Sequence, residues 1–307
     1  MALISMKVAP ALIAGCTVVL KTSPEAPGEG YLISEAAETV GLPPGVLNVV
    51  CADRKISELL VRDPRVDKIT FTGSTAAGRR IASICGMRIA RVTLELGGKS
   101  AAVILDDADI ETTAQALPAA ECLVSGQVCA SLTRIVVTRS RHDAMVEALA
   151  QQRDYVAGLL EQAKAAGAEV QTYGEYAGDW TSGNYMLPSL VLDPVPELGI
   201  VAEEQFGPSL PVIPYDDEAQ AIRLANATWS GLCSSVWSGD NEHGMAVARQ
   251  LRTGVTFFNN HNATAVDERA PFGGFNQSGL GRELGREGLL SFTETHVMAV
   301  PDGSAGH

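Results

Sequence analysis

Short apolar runs alternate with longer segments of mixed polarity along the first hundred residues of the chain. The runs at residues 17–20, 46–50, 68–71 and 91–96 are rich in Val, Leu, Ile and Thr. Runs of this length and composition are typical of β-strands, and the segments between them are typical of helices. The alternation predicts βαβ units with a parallel sheet, in which ligands bind where strand carboxyl ends meet helix amino termini.

The same alternation resumes after Ser100. Residues 101–105 and 134–138 are predicted to form strands, and a helix with an acidic first turn is predicted from Asp109 to about Ser125. A chain of 307 residues is longer than one average domain. We therefore expect an α/β protein with two compact lobes.

The amino terminus contains a run that resembles a targeting segment. Lys7 is the one charged residue before residue 21, and residues 12–16 (LIAGC) look like the cleavage site of a bacterial lipoprotein. However, the charge follows an apolar stretch instead of preceding it, and Pro10 and Gly15 interrupt the run. We favour a buried helix followed by a buried strand over a lipid anchor or a transmembrane span.

Charge and cysteine content narrow the class of function. A formal net charge of −13 and a pI near 4.8 argue against nucleic acid or an anionic membrane as the main partner, which leaves small-molecule chemistry. The cysteines form no C-x-x-C pair, which predicts reduced thiols in a cytoplasmic protein. Because cysteines and histidines are not clustered, we predict no metal site. The six cysteines are Cys16, Cys51, Cys85, Cys122, Cys129 and Cys233.

Two glycine-containing segments were considered as phosphate sites. Residues 71–75 (FTGST) join a predicted strand to a helix beginning near Thr75, whose free N–H groups and positive dipole end would attract an anion such as a nucleotide phosphate. Gly-Ser-Thr also opens helices merely as a cap, so both interpretations stay open here. Residues 279–285 come near a G-x-G-x-x-G pattern, but they lie too near the end of the chain to open a βαβ unit, and we predict a turn.

Cys129 lies between a predicted helix and a predicted strand. A thiol in such a loop could be exposed in a cleft, with its pKa lowered by nearby backbone dipoles, and act as a nucleophile. A free cysteine is more often a small buried packing residue.

Seven segments taken together resemble the NAD(P)-dependent aldehyde dehydrogenase superfamily, in order from Met1 to about Val300. The resemblance implies an incomplete Rossmann-like cofactor domain over residues 1–97, an α/β catalytic domain over 98–277, and a C-terminal return and oligomerisation tail over 278–307. The segments are residues 15–21, 41–48, 71–74, 95–99, 126–129, 203–208 and 271–283.

The resemblance also implies roles in catalysis. Cys129 would attack an aldehyde, and the resulting thiohemiacetal would pass hydride to the nicotinamide and leave a thioester. Glu95 would be the general base that activates water to hydrolyse the thioester; the alternative is an ordinary surface carboxylate at a strand end. Lys7 and Glu283 resemble residues implicated in proton movement, and the alternative for them is a solvated charge or an ion pair.

On the cofactor side the resemblance implies NAD or NADP, with NAD favoured. The implied contacts are Lys21 with the adenosine ribose, Gly73 and Ser74 with the pyrophosphate, the Leu96 backbone with the nicotinamide, and Glu204 with the nicotinamide ribose beside Phe206.

Three departures from the family pattern bear on activity. The family's asparagine that donates to the thiohemiacetal oxygen, and the first strand of its cofactor sheet, fall upstream of the helix with which this sequence opens. Loss of one such donor costs about two to three orders of magnitude in rate, which would leave the Cys129 backbone N–H as the main donor. The second departure is a direct connection between Ala150 and Tyr155, where the family usually inserts a loop and turn before the next helix. The third is Pro24, which stands where many relatives carry a ribose-binding Glu.

Two functions remain open on these grounds. The first is oxidation of a small-molecule aldehyde by a homo-oligomeric enzyme, and the second is a catalytically impaired remnant or partner-dependent fragment. The acylating branch, which transfers its thioester to coenzyme A, is disfavoured because Glu95 is present to activate water.

Overall fold

The computed structural model describes residues 1–149, 164–172, 188–262 and 266–299. Helices and strands alternate through the first hundred residues, and the predicted strands form within two residues of their expected bounds. The elements are α1 (Ala2–Ile13), β1 (Val18–Thr22), α2 (Gly28–Thr39), β2 (Leu47–Cys51), α3 (Arg54–Arg62), β3 (Lys68–Thr72), α4 (Thr75–Arg88) and β4 (Arg91–Glu95).

The remainder of the described chain contains the second set of elements. The predicted strands near residues 101 and 134 and the predicted helix from 109 all form. The helix ends at Cys122, and the turn that follows leaves the helical conformation at Val124 and Ser125. The elements are β5 (Ser100–Ile104), α5 (Ile110–Cys122), β6 (Leu132–Thr138), α6 (His142–Leu149), β7 (Glu169–Thr172), β8 (Ser189–Leu192), α7 (Gly199–Ala202), β9 (Ser209–Tyr215), α8 (Glu218–Asn226), β10 (Cys233–Trp237), α9 (Asn241–Ala248), β11 (Val255–Phe258), β12 (Gly279–Leu280) and α10 (Gly285–Leu290).

The second lobe is built on one continuous sheet. Among the described residues its strand order is β11-β10-β5-β6-β9-β8-β7, parallel throughout except that β7 is antiparallel to β8. One face packs against α5 and α6 through residues such as Leu117 and Met145, and the other against α8 and α9 through residues such as Ala221 and Val247. Helices on both faces explain why β5, β6 and β9 are buried along their whole length.

The strands of the first lobe form two smaller sheets. β1 is parallel to β2, and β3 is parallel to β4, which also pairs antiparallel with β12. The α/β fold with parallel sheets is therefore confirmed, while the described strands β1 and β3 belong to separate sheets.

The prediction that the amino-terminal helix is buried is wrong. α1 forms, but only Val8 and Ala11 are buried within it, while Leu3 and Ile13 are exposed. The following strand β1 is half-buried instead of buried. Apolar composition predicted burial, but the element has too few described neighbours to cover its faces. No described helix is long and apolar enough to cross a membrane.

The segment after β11 returns to the first lobe. β12 pairs with β4, Phe272 bridges Glu283, and Arg91 pairs with Glu294. Positive φ angles at Gly281 (+81°) and Gly285 (+56°) turn the backbone here, which confirms turn geometry in place of a dinucleotide fingerprint. The direct join between residues 150 and 155 lies outside the described residues.

Candidate active site

The loop that carries Cys129 begins with a left-handed stretch of backbone. After α5, Val124, Ser125 and Gly126 have φ angles of +50°, +60° and +72°. This conformation costs about 1–2 kcal/mol for each non-glycine residue, most for a β-branched one. Strain of this kind is concentrated at functional sites, and here it redirects the chain just before Cys129.

Close approaches of glycine backbone bring three segments together at Cys129. A Cβ at Gly98 would lie 2.5 Å from the Cys129 carbonyl oxygen, and one at Gly126 would lie 2.8 Å from the backbone carbon of Gly207. A Cβ at Gly97 would collide with the carboxylate of Glu204. At Gly98 and Gly126 the close neighbour is backbone, which leaves no room for a Cβ, so residues 95–98, 126–129 and 204–207 form one compact cluster.

The thiol of Cys129 is half-buried, and its pKa is raised to about 11. Burial is the largest cause, followed by the negative charges of Glu204 and Glu95. The expectation that backbone dipoles lower this pKa is therefore wrong in direction: the backbone hydrogen bonds do lower it, but desolvation and two carboxylates outweigh them.

Glu95 is the last residue of β4 and is only 3% exposed. Burial, and then the charge of Glu283, raise its pKa to about 8, while Lys7 and Arg282 act in the opposite direction. Within the described residues neither of its carboxylate oxygens has a hydrogen-bond partner. The alternative of a surface carboxylate is thus wrong, and a carboxyl group that titrates near neutral pH is suited to general-base chemistry.

Lys7 and Glu283 form an ion pair behind Glu95. The Lys7 ammonium donates to Oε1 of Glu283, which also accepts from the Thr70 hydroxyl at 3.0 Å. Side-chain exposures of 14% and 8% show that this is a largely buried pair and not a pair of solvated charges. Since Glu283 raises the pKa of Glu95 and Lys7 lowers it, the pair is electrostatically coupled to the carboxyl group.

Glu204 is held by the backbone of the segment that follows Glu95. Its Oε1 accepts from the Gly98 N–H at 3.0 Å, and its pKa is raised mainly by burial. Next to it, the buried Lys99 ammonium donates to the Gln205 side chain and, at 2.8 Å, to the Ile200 carbonyl. Phe206 follows with a φ of +49° and is partly exposed.

The strand–helix junction between β3 and α4 has the predicted form. Ser74 caps α4 by accepting from the Ala77 N–H at 3.3 Å, so the cap interpretation is confirmed. Beside Gly73 and Ser74, the buried hydroxyls of Thr72 and Thr75 lack hydrogen-bond partners in the described part of the chain. Buried orphan hydroxyls at the start of a fourteen-residue helix fit a bound phosphate group.

The remaining cofactor residues lie around this junction and at the neighbouring sheet. The Leu96 side chain packs on Gly78 of α4, and its N–H donates to the Ser278 carbonyl at 2.9 Å. Lys21 lies near the carboxyl end of β1 and donates to the Ala52 carbonyl at 3.4 Å. Since β1 and β3 belong to separate sheets, the structure brings Gly73, Ser74 and Leu96 together but does not join Lys21 to them.

Sequence reasoning missed His261. This residue is 2% exposed and lies 3.2 Å from the carbonyl oxygen of Ala130, the residue after Cys129. It sits in a loop after β11, far from Cys129 in the sequence, and no local pattern marks it. The interaction of Gln205 with Lys99 was equally invisible, although both residues lie in segments that carried the family resemblance.

Comparison with known proteins gives a consistent family match. The sequence model of the aldehyde dehydrogenase family matches residues 1–154 and 150–298. The chain is 42% identical to geranial dehydrogenase of Castellaniella defragrans over 95% of its length and 65% of that protein. It is 39% identical to 3-succinoylsemialdehyde-pyridine dehydrogenase of a Pseudomonas species, over 98% of this chain and 68% of that one.

A solved structure shares the fold. The structure of a Mycobacterium tuberculosis aldehyde dehydrogenase complexed with NAD+ superposes with a TM-score of 0.92 at 36% identity, covering 97% of this chain and 66% of that one. The chain thus spans about two thirds of the length of the relatives it matches.

Proposed function

The chain belongs to the aldehyde dehydrogenase family, and we propose that it oxidises an aldehyde to a carboxylic acid with NAD or NADP. The observation that carries the proposal is the clustering of Cys129 with the buried Glu95 and the half-buried Glu204, whose segments meet through Gly97 and Gly98. A nucleophile, a base and a ribose-binding carboxylate in one cluster are the parts that this reaction needs.

In the proposed reaction the Cys129 sulfur forms a bond to the aldehyde carbon, and the backbone N–H of Cys129 donates to the resulting oxyanion. Loss of the carbon-bound hydrogen as hydride then leaves a thioester on Cys129. Because burial and two negative charges disfavour the thiolate, proton removal from Cys129 has to accompany or precede attack. Glu95 would accept that proton. Its neutralisation would then remove one of the negative charges that raise the pKa of the thiol.

Before the second half of the proposed reaction, Glu95 releases the first proton by way of the adjacent pair of Lys7 and Glu283. Glu95 then takes a proton from the water that attacks the thioester. The carbon–sulfur bond breaks, the carboxylic acid leaves, and the Cys129 thiolate takes this proton from Glu95 to become a thiol again. A carboxyl group with a pKa near 8 is a stronger base than an ordinary glutamate and holds an appreciable anionic fraction at neutral pH. The adjacent pair of Lys7 and Glu283 gives the proton a charged route away from Glu95.

When bound, the nicotinamide cofactor supplies the hydride acceptor and a positive charge beside Cys129. We propose that Gly73, Ser74 and the unpartnered hydroxyls near them hold the pyrophosphate, that Leu96 and Glu204 hold the nicotinamide end beside Phe206, and that Lys21 holds the adenosine ribose. NAD is favoured, in keeping with the bound NAD+ named for the M. tuberculosis relative. A thermal-shift titration tests this: a larger rise in melting temperature with NAD than with NADP supports it, and indifference to both contradicts it.

Two substitutions test the roles of Cys129 and Glu95. Cys129→Ala should abolish both hydride transfer and thiol labelling in the cleft, whereas Glu95→Gln should leave one hydride burst per site and then stall. Cys51→Ala removes an exposed thiol elsewhere and is the matched control, expected to turn over like the wild type. Equal steady rates in Glu95→Gln and the wild type would refute the base assignment. The names of the two relatives suggest geranial and 3-succinoylsemialdehyde-pyridine as the first substrates to assay.

The alternative, a partner-dependent chain without activity of its own, is favoured by one observation. The first lobe exposes large apolar side chains, among them Tyr31, Leu32, Met87 and Ile89. We propose that such surfaces are covered in a homo-oligomer and that the protein is cytoplasmic; sedimentation and cell fractionation test these points. A folded chain that binds neither cofactor nor aldehyde would favour the partner-dependent alternative.

A further inference from the structure

Beneath the Cys129 loop lies a buried chain of hydrogen bonds. The Trp237 indole N–H is 3.0 Å from Ser235 Oγ, which is 2.8 Å from His261 Nδ1. Nε2 of His261 is 3.2 Å from the carbonyl oxygen of Ala130. Ser235, Trp237, His261 and Ala130 are each no more than 3% exposed. We infer that His261, oriented by Ser235 and Trp237, is a positioning residue that holds the nucleophile loop by donating to Ala130; the inference rests on the proposed function of Cys129.

The direction of each bond in this chain is determined. A carbonyl oxygen only accepts, so Nε2 of His261 must carry the proton, and a neutral ring then has an accepting Nδ1. Ser235 must therefore donate its O–H to Nδ1, and its oxygen is free to accept from the Trp237 N–H, which can only donate. Burial lowers the pKa of His261 to about 4, which keeps the ring neutral and this tautomer intact at working pH.

The contact reaches Cys129 through peptide geometry. Peptide units are planar, so a hydrogen bond to one group of a unit orients the whole unit. His261 holds the carbonyl of Ala130, whose peptide unit also contains the Ser131 N–H. That N–H donates to the Val128 carbonyl at 2.9 Å, which lies in the same peptide unit as the Cys129 N–H, while the Cys129 carbonyl is packed against Gly98. Together these contacts constrain the torsions of Cys129 and the direction of its backbone N–H, the proposed oxyanion donor.

The best test compares His261→Gln with His261→Asn. The Gln amide reaches the former position of Nε2 and can donate to Ala130, whereas the Asn amide reaches only the Nδ1 position and Ser235. We expect kcat for aldehyde oxidation to stay within threefold of the wild type in His261→Gln. It should fall about tenfold to a hundredfold in His261→Asn and His261→Phe, since a displacement near 1 Å can cost that much. The KM for NAD should change less than twofold.

A second readout does not depend on aldehyde turnover. Alkylation of Cys129 by iodoacetamide should become at least threefold faster in His261→Asn and His261→Phe, because a loosened loop exposes the thiol. The pH midpoint of alkylation should not rise, since exposure lessens the burial that raises the pKa of Cys129. Ser234→Ala is the matched control. Ser234 lies on the same strand as Ser235 and is also buried, but its hydroxyl forms hydrogen bonds with Thr253 and Thr256 instead of His261. It should match the wild type in both assays.

The outcomes separate this inference from the proposed function. Absence of aldehyde oxidation in the wild type would refute the proposed function, and the alkylation rates would still report on the loop. Unchanged alkylation and kcat in His261→Asn, or a His261→Gln variant as impaired as His261→Phe, would overturn the positioning role. A rise of the alkylation midpoint would overturn it too, since a thiol that becomes more exposed cannot gain a higher pKa when burial is the main cause that raises it. If His261→Phe does not fold, Ser235→Ala keeps the imidazole and should lower kcat by about twofold to fivefold.

Discussion

The two lobes contain the same kind of strand but bury it to very different extents. β3 and β5 are five residues long and both pair in parallel with their neighbours, yet β5 is buried at every position and β3 at none. β5 has helices on both faces of its sheet, whereas Ile69 of β3 packs against a small cluster around Val61, Ile84 and Cys85. β3 (KITFT) has the higher local β-propensity of the two strands (β5 is SAAVI), so packing and not propensity sets their burial.

This difference predicts that the first lobe opens more easily than the second. Trp229 and Trp237 donate hydrogen bonds to Ala202 and Ser235 in the second lobe. In a Trp180→Phe variant, tryptophan fluorescence therefore follows the second lobe while far-UV circular dichroism follows both. In urea the dichroism should begin to fall before the fluorescence changes. Coincident transitions would show that the lobes unfold as one unit and would remove the basis of the comparison.

The largest effect is expected from an isoleucine pair, one in each lobe. Ile135 in β6 is fully buried, and Ile135→Ala should destabilise the protein by about 2–5 kcal/mol through lost burial and a cavity. Ile69 in β3 is partly exposed, and Ile69→Ala should cost roughly 1 kcal/mol. Urea midpoints of the two variants measure the contrast, and equal losses would contradict it.

Glu95, where the lobes meet, should make stability depend on pH. Its folded-state pKa is about 8 and its ordinary value is 4.5, so between these values the folded state binds a proton that the unfolded state releases. The contribution of Glu95 to the free energy of unfolding is therefore fully present below pH 4.5. It is lost as the pH rises to 8, at up to about 1.4 kcal/mol per pH unit. Between pH 5 and pH 8 the free energy of unfolding should therefore fall by a few kcal/mol less in Glu95→Gln than in the wild type. Parallel curves from urea titrations would contradict the raised pKa.

A smaller effect is expected where the return segment joins the lobes. The buried Ser278 hydroxyl donates to the Gly97 carbonyl at 2.7 Å and accepts from the Gly231 N–H at 2.9 Å. Ser278→Ala leaves both backbone groups without this partner, which should cost about 1–3 kcal/mol. It should also widen the gap between the dichroism and fluorescence transitions. An unchanged gap would mean that Ser278 stabilises the lobes without coupling them.

The smallest effect is expected from a surface contact of the same segment. Arg91 and Glu294 also join the first lobe to the return segment, but their side chains are 69% and 67% exposed. Exposed pairs contribute about 0–1 kcal/mol, so Arg91→Ala should lower the free energy of unfolding from urea titrations by no more than about 0.5 kcal/mol, and by less at high salt. A loss as large as that of Ser278→Ala would show that coupling does not depend on burial.

Local pattern in the sequence was sufficient for the elements and for the family. Apolar runs located β1 to β6 within two residues. The Ser74 cap was one of two interpretations of its segment, and the turn at residues 279–285 was predicted from its position late in the chain. Ordered motifs such as residues 95–99 and 126–129 were sufficient to identify the family. These features depend on neighbours within a few residues, which is the range over which sequence patterns are informative.

The tertiary structure decided which groups of the site are buried, how they ionise and how they are placed relative to one another. The pKa of Cys129 is raised because Glu95 and Glu204, 34 residues before it and 75 residues after it, lie close in space, and no local pattern encodes that distance. For the same reason, local patterns do not predict the contact of His261 with Ala130, the ion pair of Lys7 with Glu283 or the separation of β1 from β3. The sequence determined which groups are present, whereas long-range packing and the desolvation that accompanies it set their ionisation and their alignment.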